Sequence, residues 1–458
     1  FGLTSEWLMH EGRVVPSLIV LSHEEQRERL RLGCPEAVPV SVVAGDPCID
    51  QLRASMPFRE SYRQALGVGP GRKLVVVSST WGPGSVLGSE AADVLRRVLA
   101  ELPADEYRAV AAVHPNAWYG HGAWQLQSWL APLLDSGLML PVPATQTWKA
   151  ALLAADVLIS DHGSLTFYGA ALGVPCLLGS FPSDVVATGS PMERLGQLLP
   201  TLVPGRPLLS QLGEATAGGA GNPELERLGQ MVTSRPGRSA TLLRRLFYEF
   251  LRLPEPAAPA ATSLVPLPGP LPPARRTPGL PPTFVSVAWA EADGDGDGDG
   301  GGESDAVATV RRYPAALQDR AGRHLAAAHL AADAAEPDIR WSRAADVLLL
   351  PLGRTPASSP PRMPCWDEFS GRHPGCSLIA VAEPEDGCLA LLPDGRRIRA
   401  RWHERPDWAS FAIAGSLIHD YVYAHAGAAK DEGSRAPFRV QVVAGQLLER
   451  GLLVIGEL

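Results

Sequence analysis

The densest chemistry in the chain lies in Ala155-Asp156-Val157-Leu158-Ile159-Ser160-Asp161-His162-Gly163-Ser164-Leu165-Thr166, an apolar strand that turns directly into a helix. A helix start leaves backbone N–H groups without partners at its positive dipole end, so an anion such as a phosphate is favoured there. In this reading Gly163 allows close approach to the backbone, Ser164 and Thr166 add hydroxyl donors, and Asp161 and Leu165 complete the turn. The plain alternative is equally open: Asp161 or Ser164 caps the helix and Gly163 makes the turn, as in any α/β protein. Two further segments carry usable groups. His114-Pro115-Asn116 follows an apolar run ending at Val113, where a ring nitrogen can hold a phosphate or assist a leaving group; the alternative is a polar loop residue. Ser79-Thr80-Trp81-Gly82 follows another such run, with hydroxyls suited to phosphate or ribose and an indole able to stack or simply to pack.

These segments need a frame that brings them together. Apolar runs at Ser17–Leu21, Pro39–Ala44, Lys73–Ser78, Tyr107–Val113, Leu138–Leu140, Asp156–Ser160 and Pro175–Gly179 alternate with helix-length segments at 58–66, 89–102, 123–136, 147–154 and 164–172. Strands apolar throughout and separated by helices predict a parallel sheet covered on both faces, hence a doubly wound α/β fold. Ligands in such sheets bind beyond the carboxyl ends of the strands, which is where all three segments fall.

The chain of 458 residues is too long for one core, and its 46 Gly and 43 Pro imply irregular stretches between domains. The divisions expected are 1–44, a short α/β piece; 45–253, a Rossmann-like domain; 254–282, a Pro-rich linker; and 283–458, an α+β domain. In the last, helices are expected over 315–335 and around 411–424, a hairpin over Cys388–Trp402, and a disordered loop over 291–305 around the Asp-Gly repeat. The chain begins at Phe1 without a recognisable first strand, and an upstream part is expected.

A net charge of -8 excludes a broad basic face for nucleic acid. Six scattered cysteines without a CxxC pair predict no disulfide framework and a cytoplasmic setting, and no zinc or other metal site is expected. No run is long enough to span a bilayer. The stripe Leu242, Leu243, Leu246, Phe247 and Phe250 reads as the inner face of a core helix, with Arg244 and Arg245 leaving peripheral membrane contact as the lesser alternative.

The order Gly45-Asp46-Pro47 with Asp50, Ser79-Thr80-Trp81, His114-Pro115, Ala155-Asp156 through Asp161-His162-Gly163-Ser164, and Gly173-Val174-Pro175 resembles the C-terminal domain of GT-B-fold transferases, and most of all the CDP-glycerol glycerophosphotransferase family. It is similar, less closely, to UDP-N-acetylglucosamine 2-epimerases. The resemblance makes 45–253 a nucleotide-donor-binding domain and 1–44 a remnant of an N-terminal α/β acceptor domain. The resemblance implies a transferase that moves a glycosyl or polyol-phosphate group from a nucleotide-diphosphate donor to a cell-envelope acceptor, without a separate cofactor. It implies catalytic roles for His114 and His162, and a donor site built from Ser79, Thr80, Trp81, Asp161, Gly163, Ser164, Leu165 and Thr166. His162-Gly163 stands where the family has Tyr-Ser, and Gly82 where it has an arginine, so anion binding here leans on backbone donors and histidines. An epimerase of the same fold and a non-catalytic nucleotide-binding or scaffold protein are the competing readings.

Overall fold

The computed structural model describes residues 2–88, 93–219, 221–269, 279–291, 306–318, 325, 327–351, 365–423, 438–447 and 449–458. At the amino end, β1 (Ile19–Leu21), α1 (Glu24–Gly33) and β2 (Ser41–Val43) form a small unit whose two strands pair in parallel. It rests on the main α/β body through Ser234, whose hydroxyl accepts from Glu24 N, and through Arg235, paired with Glu24 at 2.8 Å.

The α/β body follows the alternation expected from the sequence. After α2 (Pro47–Ser55) and α3 (Arg59–Ala65) come β3 (Lys73–Ser79), α4 (Val94–Glu101) and β4 (Tyr107–Val113). Three short helices follow, α5 (Pro115–His121), α6 (Ala123–Trp129) and α7 (Ala131–Asp135), then β5 (Leu138–Met139) and α8 (Thr147–Ala154). The body continues with β6 (Val157–Ser160), α9 (Ser164–Ala171), β7 (Cys176–Leu178), α10 (Pro191–Leu198), α11 (Leu208–Gly219), α12 (Pro223–Gln230) and α13 (Ser239–Leu251). The single helix expected over 123–136 is divided at Leu130 into α6 and α7, with Pro132 in the first turn of α7. The helix expected over 89–102 begins at Val94, and residues 89–92 lie outside the described part.

The sheet runs β5-β4-β3-β6-β7 with every neighbouring pair parallel. Counted along the body this is strand order 3-2-1-4-5, the doubly wound arrangement, in which the chain reverses direction across the sheet between β3 and β6. Separate apolar layers cover the two faces: Leu74, Val76, Val110 and Leu158 belong to one, Val75, Val77, Ala109 and Ile159 to the other. Alternate residues of one strand thus enter opposite cores, which is why these runs read as apolar throughout.

Two expectations need correction. The stripe on α13 is not an inner face: only Ser239 of that helix is buried, and Phe247, Phe250 and Leu251 are exposed. The Pro-rich stretch, expected to be a linker poorly suited to a core, contributes one residue to the α/β core: Val265 is buried against it, donates its N–H to Ser55 Oγ and accepts from Tyr62 at 2.7 Å.

The carboxyl-terminal module is a closed barrel of β8 (Thr283–Glu291), β9 (Ala306–Pro314), β10 (His329–Asp333), β11 (Val347–Leu350), β12 (Leu378–Ala382), β13 (Cys388–Leu391), β14 (Arg397–Glu404), β15 (Phe438–Ala444) and β16 (Arg450–Glu457). One helix, α14 (Phe411–Tyr423), shares its apolar core with the inward-facing strand residues. Ala308, Ala331, Ala380, Ala390 and Ala400 keep that interior shallow, and a Cβ on Gly415 would lie 2.6 Å from the Ala380 Cβ, so helix and strand meet at a position that admits only glycine. The expected hairpin is β13 with β14. Of the helix expected over 315–335, residues 319–324 and 326 lie outside the described part, and 329–333 form strand β10 instead, buried at every residue, because pairing inside a sheet outweighs the helix propensity of an alanine-rich run. The Asp-Gly repeat lies outside the described residues, between two strands that pair from Thr283↔Pro314 to Glu291↔Ala306.

Candidate functional site

Asp161 organises the crevice at the point where the sheet reverses. Fully buried, it accepts through Oδ2 from Thr80 N (2.8 Å), Thr80 Oγ1 (2.9 Å) and Val86 N (3.1 Å), and through Oδ1 from Gly163 N (3.0 Å). One carboxylate therefore ties the loop after β3 to the loop after β6. Both the hydroxyl and the N–H of Thr80, expected to face a ligand, are spent on this link, as is the Gly163 N–H. Thr166 is also turned inward, donating to Ser160 Oγ at 2.8 Å and to the Asp161 carbonyl. Ser79 is buried and its hydroxyl accepts from Leu87 N at 3.0 Å. Gly163 adopts an ordinary extended conformation (φ -77); its lack of a side chain matters because a Cβ would lie 2.4 Å from Thr80 Cγ2.

The donors left for a ligand are those of Ser164 and Leu165 at the first turn of α9, together with His114. They meet in a cavity of about 250 Å³, lined by Ser78, Ser79 and Thr80 after β3, His114 and Pro115 after β4, and Gly163, Ser164 and Leu165 after β6. His114 caps α5, its Nδ1 accepting from Asn116 N at 3.0 Å, so in the neutral ring the proton sits on Nε2. Burial lowers its pKa, with the nearby Asp161 charge opposing, and the neutral form prevails at physiological pH.

The second expected histidine faces another way. His162 lines a separate cavity of about 290 Å³ with Gln26, Arg29, Phe167, Met192 and Met231, on the far flank of Ser164, the residue both cavities share. His162 Nδ1 is buried without a hydrogen-bond partner. Trp81 is exposed and lines neither cavity.

Cys48, Trp148 and Tyr168 complete the first cavity and were not singled out by the sequence. Tyr168 follows Ser164 by four residues, one helical turn on the same face, a spacing readable once Ser164 was chosen. Its hydroxyl donates to Asp46 Oδ2 at 3.0 Å, while Asp46 Oδ1 caps α2 through Cys48 N and Ile49 N. Burial and the Asp46 charge hold the Tyr168 phenol far above its usual range, and burial likewise raises the Cys48 thiol. Other residues of the motif order are structural. Asp50 accepts from Gly237 N and Ser239 N, and Asp156, at the opposite end of β6, is bound by Arg59, Arg63 and Leu74 N.

Strand order and site together define a doubly wound, Rossmann-like α/β unit with an open crevice at its switch point. No family model and no curated protein matches the sequence. Among solved structures, the chain is similar to the wall teichoic acid polymerase TagF, with 17% identity over 52% of this chain and 58% of that one and a TM-score of 0.35. It is similar to UDP-GlcNAc 2-epimerase from Neisseria meningitidis bound to UDP-GlcNAc, with 15% identity over 51% of this chain and 61% of that one and a TM-score of 0.31. A third is Anabaena HepE in complex with UDP and glucose, with 14% identity over 52% of this chain and 64% of that one and a TM-score of 0.28. The chain thus spans between 58% and 64% of the length of these three proteins. At such identities and scores the likeness carries no assignment beyond the fold, which stands on the strand order given above. Among the described residues no helix is long and apolar enough to cross a membrane.

Proposed function

We propose that the α/β body is the donor-binding part of a transferase that moves a glycosyl or polyol-phosphate group from a nucleotide-diphosphate donor to an acceptor hydroxyl. The observation that carries this reading is the convergence, at the switch point, of the free first turn of α9 and the Nε2–H of His114 on one cavity. In the reaction the acceptor oxygen forms a bond to the transferred group as the bond to the diphosphate oxygen breaks, and the electron pair leaves with the nucleotide. Charge grows on that leaving oxygen, where fixed N–H donors from Ser164, Leu165 and His114 stabilise it more in the transition state than in the ground state. A neutral histidine serves as a hydrogen-bond donor here without needing a second proton. The proton of the acceptor hydroxyl goes to a general base, and His162, across Ser164 from the donor cavity, is the candidate for it.

The epimerase alternative needs carboxylates at the sugar, and no residue lining the first cavity carries one. Asp161 and Asp46, the acidic residues nearest to it, are occupied by the bonds described above. The acceptor and its cell-envelope origin rest on the motif resemblance alone.

Calorimetric titration with CDP-glycerol, CDP and UDP-sugars tests the proposal. The expected result is binding of at least one, weakened by S164A together with H114A while the melting temperature stays put. Absence of binding to all of them by the folded chain ends the proposal, and an equal loss of stability in the variant assigns both residues to structure.

A further inference from the structure

The segment from His114 to Leu134 contains no Asp, Glu, Lys or Arg, in a chain whose charged residues make up 20% of the total. The aliphatic residues and one ring go inward, with Trp118 and Leu126 buried and Ala117, Leu130, Leu133 and Leu134 packed on the core. Three aromatic rings go outward: Tyr119 is 64% exposed, Trp124 77% and Trp129 55%. A fourth ring, Trp81 at 58%, lies in the loop after the neighbouring strand β3. Tryptophan is a highly buried residue on average, so such exposure after two adjacent strands of the sheet calls for a ligand. The segment starts at His114 itself, which with Pro115 lines the candidate donor cavity.

We infer that α5 and α6 bind a neutral oligosaccharide, which is the acceptor; the acceptor role rests on the donor reading above, the binding does not. The absence of charge argues against an acidic lipid surface or a charged polymer, either of which a basic patch would recognise. The inward turn of the aliphatic residues leaves little of the continuous apolar area that a stable protein contact buries. What remains outside is flat aromatic rings interspersed with Asn116, Gln125 and Ser128. Pyranose rings present apolar C–H faces that stack on indoles and equatorial hydroxyls that bond to amides and hydroxyls, so the surface matches a sugar chain in both respects. Trp129 is held in place by His121, whose ring meets it edge-on at 5.1 Å.

The test is titration of the full chain, without nucleotide, with cellohexaose, maltohexaose and chitohexaose, read by tryptophan fluorescence and calorimetry. At least one should bind, and W124A together with W129A should weaken it about tenfold, two ring contacts of ordinary strength, with W124F and W129F retaining most of the affinity. The melting temperature and any nucleotide affinity should not change. Failure of all three sugars to bind, or equal binding by the double alanine variant, overturns the inference. So does a tryptophan-dependent attachment to phosphatidylcholine vesicles, or a tryptophan-dependent dimer in sedimentation, in place of sugar binding. Loss of nucleotide binding with sugar binding intact would count against the donor reading alone.

Discussion

Replacing Asp161 by Asn separates a scaffold from a binding group. The side chain keeps its shape but exchanges a charged acceptor on both oxygens for one neutral carbonyl and one NH₂ donor. The least harmful orientation leaves the carbonyl on Thr80 N, Thr80 Oγ1 and Val86 N, and turns the NH₂ toward Gly163 N. Two donors then face each other in a buried place, at a cost of about 1–3 kcal/mol for the N–H left unpaired. The three remaining bonds lose their charge assistance, roughly half their strength, which adds about 1–2 kcal/mol. Taking about 3 kcal/mol in all, the α/β transition should fall by about 6–12 °C. Circular dichroism of the full chain, melted with and without the nucleotide that binds best, reads the effect. The reasoning is refuted if D161N melts within about 1 °C of the unchanged chain, a ΔΔG well under 1 kcal/mol, yet loses the nucleotide. That outcome would make Asp161 a ligand group and not the tie between two loops.

Other outcomes follow from single contacts. Gly163→Ala should cost about 1–3 kcal/mol by driving a methyl into Thr80 Cγ2, and adding Thr80→Ser, which removes that atom, should restore part of the loss; an additive double variant in chemical denaturation would refute the clash. Burial and the neighbouring His419 lower the pKa of His329 to about 3, so the folded barrel resists a proton that the unfolded chain accepts near 6.5. Stability is therefore complete above about pH 6.5 and declines as pH falls toward 3, by at most roughly 1.4 kcal/mol per pH unit from this group. Urea titrations between pH 7 and 4 should show that slope, and His329→Phe should flatten it. Across the two modules, partly exposed Arg312 pairs with buried Asp105 at 2.6 Å, so Arg312→Ala alone, which leaves that carboxylate buried without its partner, should destabilise by about 3 kcal/mol while adding Asp105→Ala recovers much of it. Equal melting of single and double variants would show that the pair is not closed in solution.

The strands of the α/β body were legible because each is buried on both faces, so tertiary structure demanded the same apolar run that the eye finds: Tyr107–Val113 and Val157–Ser160 agree with expectation to within a residue. His114 and Ser164 were legible as residues just past strand ends. The division of labour around them was not. Asp161, Thr80, Gly163 and Thr166 have ligand-binding chemistry in the abstract, yet the fold uses them on one another, a choice made by side chains 81 residues apart in the Thr80–Asp161 bond. Trp148, Tyr168 and Cys48 come from helices whose faces cannot be assigned until the sheet is assembled.

The stripe on α13 and the alanine-rich run ending in β10 show the same limit from the other side. A period of three to four residues establishes that a helix has an apolar face, and does not establish what covers it. A local preference for helix weighs at most a few tenths of a kcal/mol per residue, which burial between two strands of a barrel outweighs. Sequence alone determined what depends on neighbours along the chain: the alternation of elements, the parallel sheet, and the turn at which α9 begins. Only the assembled fold decided what depends on neighbours in space: the strand order that makes a crevice, which polar groups spend themselves holding it open, and which remain to meet a ligand.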